Sequence, residues 1–254
     1  MINHKSGFKQ VNGLNMYYEI HGNGETLVLL HGQFTTASMF YPILQDLAQH
    51  RQVVLIEQQG HGHTADIDRP LRFAQMGRDT AELLKQLGIE RADVFGYSAG
   101  GSVAMHLALT NPNLVRKLAL ASTVYSMDGY FSFITEALKN PSPEAFPHQM
   151  RQEYEKVAPY PEDWSKLIVK GGEMANNFHK DDLIEPTQLQ ELTVPVLVIM
   201  GDNDIIRPEY AKEMARLLHT DLIVIPGDHA SYITIQPQPL LVHLKDYFQL
   251  CTEI

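Results

Sequence analysis

Apolar residues along this chain come mostly in short bursts separated by turn residues. Residues 8–11 and 14–20 read as two strands joined at Asn12-Gly13, a dipeptide that accepts the positive φ values of a two-residue hairpin turn. The runs at 26–30 and 52–56 are continuously apolar, as expected of short strands buried on both faces. Between them, Met39, Phe40, Ile43, Leu44 and Leu47 recur at helical spacing over 37–49. Residues 76–87 form an amphipathic helical pattern stopped by Gly88. A strand at 93–96, a helix at 102–109 halted by Asn111-Pro112, and a strand at 118–121 follow. After a long interruption the rhythm resumes with a strand at 194–200, a helix at 209–218, a strand at 221–225 and a closing helix at about 240–250. Buried strands alternating with helices predict an α/β fold: a mostly parallel, doubly wound sheet with an antiparallel hairpin at one edge.

The interruption covers residues 123–186. It holds Pro141, Pro143, Pro147, Pro159, Pro161 and Pro186, many aromatic residues, and helical patches at 134–139, 150–157 and 164–169, but no clear strand. A structureless loop of that length is uncommon in a compact domain. The expectation is a helical cap inserted over a core formed by 1–122 and 187–254; a small second domain is the competing reading.

Composition narrows the function classes. With 254 residues, 44% hydrophobic and 20% charged, the chain can bury one large core with an insertion, and no segment reads as disordered. A net charge of -10 argues against nucleic acid and against anionic membrane surfaces, which both call for a basic face. The single cysteine, Cys251, permits no internal disulfide and no CxxC site. Residues 1–15 are polar, without the apolar core of a signal peptide, and no apolar run approaches a membrane span. The expected setting is soluble and cytoplasmic.

The chemistry gathers at predicted strand ends. Gly96-Tyr97-Ser98-Ala99-Gly100 places a serine on a tight strand-to-helix turn, where small neighbours let the two elements approach and the first amides of the helix point past the hydroxyl. A serine hydroxyl is a weak nucleophile unless a base takes its proton, and the base needs an acid to hold its tautomer. Asp204 and His229 each follow a later strand, in the chain order Ser, Asp, His. Asp202 and Asp128 compete with Asp204 for the acid role, whereas Asp228 reads as a turn residue. His61 and His63 suggest a metal pair, but no supporting ligand cluster surrounds them in sequence, so neither metal nor cofactor is expected. His31 reads as a prop for its own loop.

These motifs together, Leu30-His31-Gly32, Gln59-Gly60-His61-Gly62, Gly96 to Gly100, Gly201 to Asp204 and Pro226 to His229, resemble the capped, small-molecule group of the α/β-hydrolase fold. The resemblance spans nearly the whole chain. It implies Ser98 as nucleophile, His229 as general base, Asp204 as orienting acid through its Gly-x-x-Asp spacing, and the backbone amides of Gln33 and Ala99 as oxyanion donors. Phe34, Tyr97 and Tyr125 are the substrate-facing candidates, with the small Ala99 leaving room beside the nucleophile. Glu57-Gln58-Gln59 stands where many members carry Asp-x-Arg, and Gly227-Asp228 before the histidine is also unusual; both bear on subfamily. The implied activity is hydrolysis of a small carboxylic ester through an acyl-enzyme. Perhydrolysis and carbon–carbon bond hydrolysis use the same residues, and a ligand-sensing protein with slow turnover is the reading from another class. The expected partner is a small-molecule substrate; oligomeric state is not legible.

Overall fold

The computed structural model describes residues 3–250, apart from the side chains of His179 and Asp181; Cys251 lies outside the described residues. Eight strands form one sheet: β1 (His4–Val11), β2 (Leu14–His21), β3 (Thr26–Leu30), β4 (Gln52–Ile56), β5 (Ala92–Tyr97), β6 (Val115–Ala121), β7 (Val196–Asn203) and β8 (Leu222–Asp228). Their order across the sheet is β1-β2-β4-β3-β5-β6-β7-β8. Only β2 runs against the rest, pairing antiparallel with both β1 and β4, while every other neighbouring pair is parallel. The hairpin turns at Asn12 (φ 48) and Gly13 (φ 90), both in the left-handed region.

Helices cover both faces. α1 (Tyr41–Ala48) follows a 3₁₀ turn at Ala37–Phe40; α2 (Phe73–Gln86) and α3 (Ala99–Thr110) come before β6. Between β6 and β7 lie α4 (Ser132–Lys139), α5 (His148–Val157), α6 (Trp164–Asn176), α7 (Phe178–Asp181) and α8 (Pro186–Gln190). α9 (Pro208–Leu217), α10 (Ser231–Thr234) and α11 (Gln238–Tyr247) complete the chain. The continuous apolar strands now have their explanation. Leu27 and Leu29 enter one core with Phe40, Ile43, Leu47, Leu244 and Phe248, whereas Val28 and Leu30 enter the other with Leu83, Val103 and Leu107. Alternate side chains of one strand feed opposite cores, so no polar face remains.

Several boundaries move from their expected places. α3 begins at Ala99 rather than 102, because Gly100 and Gly101, poor helix formers, are here required by close packing. α6 continues past 169 through Gly171-Gly172, where added Cβ atoms would meet Phe34 and Gln33, or Pro141. β8 runs on through Pro226-Gly227-Asp228, residues expected to follow the strand.

The helical segment between β6 and β7 is fastened to the loop after β4. Lys170 Nζ donates to both Asp66 oxygens (2.8 and 2.7 Å) and to the carbonyls of Ile67 and Arg69 (2.8 Å each). Burial alone would raise the Asp66 carboxyl, but hydrogen bonds from Gln59, Lys170 and Lys166 outweigh it and hold the pKa below its ordinary value. Among the described residues, no helix is long and apolar enough to cross a membrane.

At the opposite end of the sheet, Asp93 is buried at the start of β5 and takes a two-point contact from Arg116 (both 2.8 Å), with Arg51 at 3.5 Å. Removing one member of such a buried group leaves charge without its partner. Asp93→Ala is therefore expected to destabilise the fold by about 3–5 kcal/mol in urea unfolding. Breaking the surface pair Arg151–Glu155 is expected to cost only about 0.5 kcal/mol.

Candidate active site

The turn between β5 and α3 is sharp. Ser98 has φ 52 and ψ -121, a conformation that an L-residue adopts at a cost. Its surroundings hold it there. The Ser98 N–H donates to the Ala121 carbonyl (2.8 Å), while its carbonyl accepts from Thr123 Oγ1 (2.7 Å) and Gly101 N–H (2.9 Å). A Cβ on Gly96 would lie 2.5 Å from the Gly100 carbonyl oxygen, and one on Gly100 would lie 2.0 Å from the Leu30 carbonyl oxygen. The glycines of the motif thus let strand and helix approach closely enough for the turn to form.

The ends of β5, β7 and β8 bring Ser98, Asp204 and His229 together. His229 Nε2 lies 3.1 Å from Ser98 Oγ, and His229 Nδ1 lies 2.7 Å from Asp204 Oδ1. The Asp204 side chain is fully shielded from solvent and His229 is 21% exposed. Oδ2 of Asp204 accepts from the Ser122 hydroxyl and from Gly201 N–H (3.2 Å); Oδ1 also accepts from Ile206 N–H (3.3 Å). Burial raises the Asp204 carboxyl, yet hydrogen bonds and charge from His229, with help from Ser122 and Gly201, bring its pKa below the ordinary value. An ionised Asp204 accepts a hydrogen bond from His229 Nδ1–H, leaving Nε2 free to accept from the Ser98 hydroxyl.

The rival carboxylates are occupied elsewhere. Asp202 is exposed and accepts from Gly227 N–H (2.9 Å), bracing β7 against β8. Asp228 accepts from the N–H groups of Ala230 and Ser231 (2.9 Å each) and so opens α10. Asp128 is exposed in a 3₁₀ turn, with Arg207 bound to its carbonyl. Ser122 and Tyr232, which the motifs did not single out, are part of the support: the Tyr232 hydroxyl bonds to Ser122 Oγ, which bonds to Asp204. Ser122 stands directly after β6, level with the other site residues, and that position was the available signal.

The Gln33 and Ala99 amides sit where the loop after β3 meets the first residue of α3. Among the described residues neither N–H donates a hydrogen bond, and Ala99 is one of the first helical residues, whose amides lack intrahelical acceptors. His31 fixes that loop. Its Nε2 accepts from Gln58 N–H (3.1 Å), so the proton is on Nδ1, which donates to the Gly32 carbonyl (2.8 Å). Burial pushes the His31 pKa down to about 4, keeping the ring neutral.

His61 and His63 do not form a pair. His61 Nδ1 donates to the Gln59 carbonyl (2.8 Å) and burial pushes its pKa down to about 4, whereas His63 bonds Glu57 (2.9 Å), which raises its pKa. His61 Nε2 and Gln58 Oε1 are buried acceptors without partners among the described residues.

Two cavities of about 20 and 10 Å³ flank Gln33, the first reaching Tyr130, Met174 and Phe178, the second Ala99, His61 and Met76. Phe34, Tyr97 and Tyr125 line neither. Phe34 (φ 63) packs edge-on to Phe146, with ring centroids 4.8 Å apart, beside Trp164. Tyr97 is a strut: its hydroxyl donates to the His229 carbonyl. Tyr125 stacks on Tyr210 at 4.8 Å. Gln33, Phe73 and Met174 border both cavities.

Two outcomes follow from this geometry. Gly100→Ala forces the Leu30 carbonyl away and is expected to cost about 3 kcal/mol in urea unfolding, the upper end for overpacking, whereas Gly7→Ala meets only ordinary contacts and is expected to be nearly neutral. Because the folded pKa of Asp204 is depressed, its ionisation contributes stability that is full above the unfolded value, near 3.8, and lost as pH falls through the lower folded value. The stability gap between wild type and Asp204→Asn, read from urea midpoints, is expected to narrow as pH drops below about 4.

Residues 25–163 match the family model described as alpha/beta hydrolase fold. A putative carbamate hydrolase, RutD, of Azorhizobium caulinodans is 29% identical over 77% of this chain and 80% of that protein. The (E)-2-((N-methylformamido)methylene)succinate hydrolase of Acinetobacter baylyi is 24% identical over 92% of this chain and 90% of its own length. Among solved structures, the 2-hydroxy-6-oxo-6-phenylhexa-2,4-dienoate hydrolase of Rhodococcus sp. strain RHA1 superposes with a TM-score of 0.79 at 23% identity, over 98% of this chain and 99% of that one. At that identity the likeness speaks to the fold.

Proposed function

The chain belongs to the alpha/beta hydrolase fold family, and on that premise we propose that it is a serine hydrolase of small carbonyl substrates. The observation that supports this most is the unbroken chain of hydrogen bonds from Asp204 through His229 (2.7 Å) to Ser98 (3.1 Å). In the proposed mechanism Ser98 Oγ attacks the carbonyl carbon as His229 Nε2 takes its proton. The negative charge that develops on the carbonyl oxygen is stabilised by the Gln33 and Ala99 amides, whose dipoles are already oriented. Asp204 stabilises the imidazolium. His229 then protonates the leaving group and activates water to release the acyl group from Ser98.

The preferred reaction is hydrolysis of a short carboxylic ester. A second reading, hydrolysis of carbonyl groups flanked by nitrogen, is favoured by the names of the carbamate and N-methylformamido relatives, each matched over most of its length. The same two steps serve both, since only the leaving group or the acyl substituent differs. Residues 123–186 are proposed as the cap, fastened by Lys170 to Asp66 and packed through Phe146 and Trp164 on Phe34.

Incubation with a fluorophosphonate, read by intact-mass spectrometry, is expected to give one adduct on wild type and none on Ser98→Ala. A folded protein that forms no adduct defeats the reading. Ser98→Ala and His229→Ala should each lower kcat by up to about 10⁶, and Asp204→Asn by roughly 10⁴, with Asp202→Asn close to wild type. If Asp202→Asn is the more damaging of the two aspartate variants, the acid is misassigned.

A further inference from the structure

The hairpin edge of the sheet carries a second cluster of chemically capable side chains. A groove of about 620 Å³ is bordered there by His4, Glu19, His21, Tyr41, Glu57 and His63, and by none of Ser98, Asp204 or His229. His4 and His21 are direct partners in the β1–β2 register, and Glu19 lies two residues before His21 on the same strand. Strand geometry therefore puts all three side chains on one face. One ligand atom from each lies within 4.8 Å of the others. The two imidazole rings stack at 4.4 Å, and His21 Nε2 is 2.7 Å from Glu19 Oε2.

Glu19 is held ready for such a role. It is buried, and its other oxygen accepts from the hydroxyls of Tyr41 (2.9 Å) and Tyr17 (3.3 Å), which leaves Oε2 directed at His21. Among the described residues no lysine or arginine forms an ion pair with Glu19 or with the buried Glu57; their only ionic partners are His21 and His63. Two shielded carboxylates with histidines beside them place oxygen and nitrogen donors on one wall of the groove, which Lys156 also borders.

We propose that His4, Glu19 and His21 bind a divalent transition ion of the zinc class, with the groove side of the ion open to water. Two imidazoles and one carboxylate suit zinc, whereas magnesium and calcium prefer oxygen ligands throughout. Metal–ligand bonds of about 2.0–2.1 Å in a tetrahedral site set donor atoms about 3.4 Å apart, so His4 must draw in while His21 Nε2 and Glu19 Oε2, now 2.7 Å apart, separate to admit the ion. The exposed His4 side chain moves in by rotating about its own bonds, and the His21 ring turns away from Glu19, which its two tyrosine partners hold. As the ion takes the place of the His21–Glu19 hydrogen bond, His21 releases its Nε2 proton to water and binds as the tautomer protonated on Nδ1. The ion would pin the start of β1 to the end of β2.

Titration of the metal-free full chain with zinc chloride, followed by calorimetry, tests this. One zinc per chain is expected at a Kd of roughly 10 µM or tighter, with a melting temperature that rises with zinc concentration. His4→Ala, at an exposed position, and His21→Ala are each expected to weaken binding at least about tenfold. Wild type that takes up no zinc at millimolar concentration overturns the proposal. So does binding that keeps its affinity in both variants, because the ion then sits elsewhere.

Discussion

The positive φ of Ser98 is the constraint around which this structure is arranged. A strained residue stays strained only if its neighbours leave it no alternative. Here the constraint reaches across three strands: Ala121 ends β6 and accepts the Ser98 N–H, Thr123 holds its carbonyl, and Leu30 at the end of β3 lies against Gly100. The strand order β3-β5-β6 puts those contacts on both sides of the turn. A parallel sheet therefore does more than carry the serine. It clamps the turn from its two neighbouring strands, and the same strand ends deliver the Gln33 amide and Ser122.

Carboxylates in this molecule differ by what neutralises them. Asp93 meets arginines and Asp66 meets lysines, so their charge is fixed and serves to fasten one segment to another. Asp204 meets a histidine, a hydroxyl and backbone amides. Hydrogen bonds of this kind keep it ionised without a permanent counter-charge, so its field remains available to an imidazole that gains a proton. Glu19 and Glu57 are also paired with histidines but are joined to no nucleophile. A carboxylate–histidine contact alone is therefore not distinctive in this molecule; what sets His229 apart is the serine hydroxyl on its other nitrogen.

Much of the architecture was legible from local pattern. Short, fully apolar runs became strands buried on both faces, Asn12-Gly13 became the hairpin, and the long proline-rich interruption became helices. Boundaries were misplaced where glycine occurs inside helices. Gly100, Gly101, Gly171 and Gly172 look like breaks because propensity is a local property, yet each is required by a neighbour distant in sequence. The spatial meeting of Ser98, Asp204 and His229 was legible because each follows a strand, and strands of a parallel sheet end together. Phe34, Tyr97 and Tyr125 were different. Residue type and proximity in sequence say nothing about where a ring turns, and packing sent Phe34 to Phe146, Tyr97 to the His229 carbonyl and Tyr125 to Tyr210.

α6 approaches the loop after β3 closely because Gly171 has no side chain; a Cβ there would lie 2.4 Å from the Phe34 ring and 2.6 Å from Nε2 of the Gln33 side chain. That contact links the proposed cap to the residue whose backbone is assigned to the developing oxyanion. A displacement of α6 thus acts on two things at once, the packing of the Phe34 ring and the support behind Gln33. Lys170, next to Gly171, meets Asp66, and Asp66 in turn holds Gln59 in the loop that carries His61. The packing around Phe34 and Gln33 and the fastening of the loop that carries His61 consequently depend on one short stretch of one helix, which is why neither can be altered without the other.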